Sequence, residues 1–209
     1  MAVDTMADLP KFNLTPELME PLMRQGTDYI DLVMSAYRAS CLSLYKRISP
    51  FFPSGASRFL DIGCGTAGID LMIASCMPDT HVTLLDKNEV IQGRDIGYGS
   101  AESFVGYCDF RAAKKMFADN AMLDRLTCCD INWQPFPSGK FDVIMSFYSW
   151  CFHYPADTYA EQVYNALDNH GVVIVDVRND APEPFKNGHT IFNGKKHRCI
   201  VYRKTDGMR

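Results

Sequence analysis

The stretch 59–68, FLDIGCGTAG, breaks an apolar run at Gly63, Gly65 and Gly68, in G-x-G-x-x-G spacing, before a second apolar run, IDLMIASCM. A strand that ends in such a turn and leads straight into a helix opens an α/β unit. The turn's backbone amides and the helix N-terminus then face a ligand. The rest of the chain repeats that alternation. SRFLDIG, HVTLLDK, LTCCD, FDVIMSFYSW and GVVIVDVR read as strands. TAGIDLMIASCM, a segment through RAAKKMF, and a segment opened by Pro155 and bearing Tyr159, Val163 and Leu167 read as helices. Strands apolar on both faces belong in a parallel sheet covered by helices on each side. The tail differs: HTIF and HRCIVYR are joined through Asn193-Gly194, a hairpin signal.

The expected fold is α/β: a doubly wound, mostly parallel seven-stranded sheet with an antiparallel C-terminal hairpin strand and an N-terminal helical cap. The cap is expected over 1–55 and the core over 56–209. Thr15-Pro16-Glu17 starts one cap helix, which Gly26 ends. A second, over about 28–48, carries Ile30, Val33, Met34, Tyr37, Cys41, Leu44, Tyr45 and Ile48 on one stripe. Neither has a strand partner, so both are expected over the carboxyl ends of the strands, where open α/β sheets bind ligands.

Composition narrows the function classes. The chain has 209 residues, 47% of them hydrophobic, which suits one full core. A formal net charge of −4 does not favour non-specific nucleic-acid binding. No apolar run is long enough to span a bilayer. The polar, acidic N-terminus is unlike a signal peptide, and a cytoplasmic location is expected. Eight cysteines without a C-x-x-C spacing read as buried free thiols in a reducing compartment. No D-x-H or H-x-x-x-H pattern points to a metal, and none is expected.

Two ligands suit a glycine turn after a strand. A dinucleotide would place its pyrophosphate there, with an acid about 20 residues on for the ribose; Asp86 stands at such a distance. Against this, Asp61 sits two residues before Gly63, where a carboxylate repels pyrophosphate but suits a ligand carrying an ammonium and a sulfonium. Asp130 ends the third strand, where an acid can accept from an exocyclic amine. The chain is also short for a separate dehydrogenase substrate domain.

FLDIGCGTAG, the acid in LLDK, the Cys129-Asp130-Ile131 run before PFPSGKFDVI, and GVVIVDVR together resemble the class I S-adenosylmethionine-dependent methyltransferases over roughly residues 56–178. The resemblance implies a cofactor, S-adenosyl-L-methionine. Its methionine part would lie by Asp61, Gly63, Cys64 and Gly65, with Ser146 nearby. Its ribose would lie on Asp86 beside Lys87, and its adenine on Asp130 and the Ile131 amide. FYSWCFHYPADTY followed by VVIVDVR is similar to a subgroup labelled sugar O-methyltransferases.

Methyl transfer needs alignment and, for a hydroxyl acceptor, a base. The segment after the fourth strand, SFYSWCFHYP, holds Phe147, Tyr148, Trp150, Phe152, His153 and Tyr154. His153 is the expected general base, with Tyr148 and Tyr154 as further candidates. An unperturbed imidazole would make the rate rise through about pH 6.5. The loop GRDIGYGS with Ser103 and Tyr107 has the glycines of a lid over 93–107. Arg178 is expected to pair with a nearby acid, or else to hold an anionic acceptor. The Asn/Asp-Pro-Pro-Tyr signature of amine methylation is absent.

O-methylation of a small polar acceptor, such as a sugar or nucleotide-sugar, is therefore the expected activity. Two alternatives stand beside it. A nucleic-acid methyltransferase would use the basic tail Lys195-Lys196-His197-Arg198 with Arg203, Lys204 and Arg209. A non-catalytic S-adenosylmethionine-binding subunit would stabilise a partner.

Overall fold

The computed structural model describes residues 10–12, 30–88, 90–92 and 105–209. The helix expected from Thr15 to Gly26 and the glycine-rich loop with Ser103 lie outside the described residues, as does the Tyr107 side chain.

Seven strands form one sheet. They are β1 (Arg58–Ile62), β2 (His81–Asp86), β5 (Leu126–Asp130), β6 (Phe141–Ser146), β7 (Leu167–Arg178), β8 (His189–Asn193) and β9 (His197–Arg203), in the order β5-β2-β1-β6-β7-β9-β8. The first five run parallel; β9 pairs antiparallel with β7, and β8 with β9. Gly194 N–H donates to the His197 carbonyl at 2.8 Å and closes the hairpin expected at Asn193-Gly194. A short antiparallel pair, β3 (Val90–Gln92) with β4 (Val105–Tyr107), stands apart from the main sheet.

The helices are α1 (Ile30–Ile48), α2 (Gly68–Cys76), α3 (Phe110–Asp119) and α4 (Ala160–Ala166). Strand period sorts the core into two layers. Phe59, Val82, Leu84, Val143, Met145, Val172 and Ile174 face α1, α2 and α3. Leu60, Ile62, Ile144, Val173, Val175 and Val177 face Trp150, Phe185 and α4. α1 belongs to the first layer. Ile48 is fully buried, and Phe52, just beyond it, meets Phe59 edge-to-face at 5.1 Å. α1 therefore packs along one face of the sheet, and its Tyr37–Leu44 portion lines a cavity with the residues that follow the carboxyl end of β1.

Two element readings are corrected. FDVIMSFYSW is a strand only to Ser146. Beyond it the chain turns, with Tyr148 at φ 54° and Cys151 at φ 67°, a left-handed geometry that ends any strand. Leu167 does not end the fourth helix but begins β7, which is longer than the GVVIVDVR run. Among the described residues no helix is long and apolar enough to cross a membrane.

Candidate active site

β1 carries Asp61 on the same face as Phe59, under α1 and α2, at its carboxyl end. The chain then turns through Gly63 at φ +79° and Gly65 at φ +55°. Gly63 is indispensable on space as well: a Cβ there would lie 1.9 Å from Ser149 Oγ. α1 reaches the turn from the other side. The Tyr37 hydroxyl accepts the Gly68 N–H at 3.1 Å and is hydrogen-bonded to the Thr66 hydroxyl. Between them lies a cavity of about 280 Å³, lined by Tyr37, Leu44, Asp61, Gly63, Thr66 and Phe147 among others.

The electrostatics of that cavity are unusual. Asp61 is 2% exposed, and Asp70, in the first turn of α2, is fully buried. Asp61 Oδ1 and both Asp70 carboxylate oxygens lie buried with no hydrogen-bond donor among the described residues. Burial, and then its neighbour Asp70, hold Asp61 well above the usual carboxylate range; burial pushes Asp70 up to about 7. Two acids so placed are costly unless a cation or donor meets them. Asp70 was not singled out from sequence. Its signal is a lone acid inside the apolar run GIDLMIASC.

Asp86, at the end of β2, is already aimed. Its carboxylate accepts the Gly65 N–H at 3.0 Å and the Lys87 N–H at 2.7 Å. Burial raises it to about 6 against those two donors. Lys87 thus acts here through its backbone.

Four other expected cofactor contacts fare differently. The Ile131 amide is committed to the ladder, donating to the Asp86 carbonyl at 3.0 Å, so it does not stand ready for a base edge. Asp130 Oδ1 accepts the Asn132 N–H at 3.0 Å, the bond of a turn cap. Ser146 is fully buried, and its hydroxyl donates to the Ile62 carbonyl at 2.6 Å while accepting the Trp150 N–H at 3.0 Å. Its hydroxyl ties β1 to β6 and the following turn, and is not presented to a ligand. Cys64 is buried with its Sγ 4.0 Å from that of Cys108.

The aromatic turn after β6 winds around the Ser149 carbonyl, which accepts the N–H groups of Phe152, His153 and Tyr154 at 3.1, 2.7 and 3.3 Å. His153 is 6% exposed and packs edge-to-face on Phe152. Burial, with the Arg178 cation nearby, pushes its pKa down to about 4. Arg178 itself is in contact with Asp180. Tyr148 is 53% exposed at the rim, and the half-buried Tyr154 closes the turn with its carbonyl, which accepts the Cys151 N–H at 3.0 Å.

Sequence reading missed a second imidazole at this edge. His197 opens β9 opposite Arg178, and its Nε2 lies 3.7 Å from Asp176 Oδ1, both side chains buried. Tyr148 packs on the His197 ring at 4.7 Å between centroids. Read along the chain, His197 sat in a basic tail, and only strand pairing brings it to Asp176.

Burial raises Asp176 to about 7, which fixes the sign of a stability effect. Its contribution is full below the unfolded pKa of about 3.9 and lost as pH rises through 7. Asp176→Asn is therefore expected to stabilise the chain at pH 8 by roughly 2–4 kcal/mol, with little gain at pH 4. Thermal denaturation at the two pH values checks this.

No family model matches the sequence, and no curated protein matches it. Solved structures do match. A methyltransferase from Pyrococcus furiosus aligns at TM-score 0.53 and 16% identity, over 78% of this chain and 82% of its own. The S-adenosylmethionine-dependent methyltransferase SibL, in its apo form, aligns at TM-score 0.56 and 16% identity, over 91% of this chain and 63% of its own. A cyclopropane-fatty-acyl-phospholipid synthase-like protein from Lactobacillus casei aligns at 0.50 and 18%, over 75% and 54%. The chain has the methyltransferase Rossmann-like fold.

Proposed function

We propose that this chain transfers a methyl group from S-adenosylmethionine to a hydroxyl of a small polar acceptor, a sugar or nucleotide-sugar being the class. The observation that carries the reading is Asp61, a buried carboxyl group that lines the cavity beside the glycine turn with a second buried acid, Asp70, against it and no donor on its Oδ1 among the described residues. A ligand with an ammonium group supplies what they lack, and a pyrophosphate would meet repulsion there. The residues present therefore fit the cofactor. Asp61 would hold its methionine part, Asp86 its ribose hydroxyls and Asp130 its adenine. When bound, the cofactor brings a methyl group already activated by its sulfonium.

The chain's work is then alignment and removal of one proton from the acceptor. Alignment of this kind is worth up to about 7–11 kcal/mol. His153 is the proposed base, buried at 6% exposure against the Phe152 ring in the turn after β6. A second reading has an observation of its own. His197 Nε2 lies 3.7 Å from Asp176 Oδ1, near enough for a small shift on acceptor binding to let the acid orient the ring, the arrangement by which a third group positions a base.

Asp86→Ala is expected to weaken S-adenosylmethionine binding by roughly 1–3 kcal/mol, the loss of one or two hydrogen bonds to a charged acceptor. Unchanged affinity in calorimetry would remove Asp86 from the ribose. The overall reading is tested by turnover with labelled cofactor against hydroxylated metabolites, nucleotide-sugars and bulk RNA. Label in RNA alone, with steep salt dependence, would replace it with a nucleic-acid methyltransferase. Tight cofactor binding with no turnover on any class would leave a binding subunit. NAD binding without S-adenosylmethionine binding would overturn it.

A further inference from the structure

Three side chains from separate loops converge beside the glycine turn: Cys64 from the turn itself, Asp86 from the end of β2, and Cys108 just ahead of Asp109, the N-cap of α3. The two sulfurs are 4.0 Å apart, and one atom from each of the three residues lies within 4.8 Å of the others. Both thiols are buried, at 9% and 4% exposure. We propose that Cys64, Asp86 and Cys108 form a binding site for a soft divalent ion of the zinc type, and that the ion and the nucleotide cofactor exclude each other. The second half rests on the proposed function.

The sulfur spacing is close to what the ion's size requires, and the carboxylate oxygen lies within 4.8 Å of both sulfurs. Zinc–sulfur bonds of about 2.3 Å and zinc–oxygen bonds of about 2.0–2.2 Å in a tetrahedron put neighbouring donors roughly 3.5–3.8 Å apart. The sulfur pair is within a few tenths of an ångström of that edge. A disulfide would need the same atoms at about 2.05 Å, a far larger closure, and gives Asp86 no part. Two thiolates and a carboxylate form a donor set suited to zinc-type ions, and three protein ligands leave the fourth position to water. The carboxylate is also held for the task. The Gly65 and Lys87 N–H groups fix both of its oxygens, the kind of support that orients a ligating acid. Ligation forms two metal–thiolate bonds and one metal–carboxylate bond, displaces water molecules from the hydrated ion and releases both thiol protons to solvent, with no change of oxidation state.

Exclusion follows from Asp86. The carboxylate proposed to receive the ribose hydroxyls is the one that completes the ion's ligand set, and Cys64 lies between the two glycines against which the cofactor would rest. Loading one ligand removes the other's anchor.

The probe is cobalt(II), added to the full, metal-free chain under a non-thiol reductant. One equivalent should produce thiolate-to-metal charge transfer and the visible bands of a tetrahedral ion, and zinc should bleach them. Cys64→Ser and Cys108→Ser should each weaken binding at least about tenfold, whereas Cys76→Ser should not. If a serine variant fails to fold, Asp86→Asn, which keeps the side chain's size, should give the same loss. Absence of the bands at one equivalent, or bands that persist in the double serine variant, would overturn the site. S-adenosylhomocysteine should displace cobalt from the wild-type chain. If it binds in calorimetry yet leaves the bands intact, mutual exclusion fails and the methyltransferase reading stands. If it does not bind at all while the bands form, that reading fails and the ion site stands.

Discussion

His153→Ala is expected to lower kcat by about 10²–10⁴-fold while leaving S-adenosylmethionine affinity close to wild type. The ring belongs to the turn after β6 and not to the strand ends that carry Asp61 and Asp86, so its loss should touch the proton and not the cofactor. The pH profile separates this from a packing defect. Only the neutral imidazole accepts a proton, and burial beside Arg178 brings its pKa down to about 4. The wild-type rate should therefore rise through about pH 4 and be level across neutrality, not climb through 6.5 as an exposed ring would. Stability follows the same sign. The unfolded ring charges near about pH 6.5, so its contribution is full above that value and lost as pH falls toward 4. If His197→Ala carries the loss and His153→Ala keeps near-normal kcat, the base is the imidazole beside Asp176.

Gly63→Ala should be the most damaging added methyl among the described glycines. A Cβ at Gly63 would stand 1.9 Å from Ser149 Oγ and 2.2 Å from Ser149 Cβ, at φ +79°. Ser149 cannot retreat cheaply, because its carbonyl gathers three N–H groups of the aromatic turn. The methyl therefore disturbs the glycine turn and the proposed catalytic segment together. Cofactor affinity is expected to fall by at least about 100-fold and stability by roughly 2–4 kcal/mol, combining backbone strain with overpacking. Gly55→Ala isolates the strain. Gly55 has φ +72° with nothing within 4 Å of an added Cβ, so it should cost only about 1 kcal/mol and leave cofactor binding alone. Calorimetry and thermal denaturation of the two variants make the comparison; equal effects would show that Ser149 yields.

What the sequence determined was whatever repeats locally. Apolar strand runs alternating with helices specified the layered sheet, Asn193-Gly194 specified the C-terminal hairpin, and the glycine spacing located the turn on which Asp61 and Asp86 converge. Local reading ran past its warrant where aromatics imitate a strand. Phe147 to Trp150 have strand composition, yet Ser146 holds the Trp150 amide and bends the chain. It also could not see which polar groups were already engaged. The Ile131 amide and the Ser146 hydroxyl are spent on neighbouring strands, and a residue's place in a motif says nothing of that. Tertiary structure alone decided the pairs of greatest chemical consequence. Asp70 joins Asp61 because the helix after the turn folds back over β1. His197 meets Asp176 because β9 runs antiparallel to β7. Cys108 comes within 4.0 Å of Cys64 across 44 residues of chain. Such contacts are set by strand order and layer packing, which bring together side chains that no local period relates, and burial then shifts the chemistry of each.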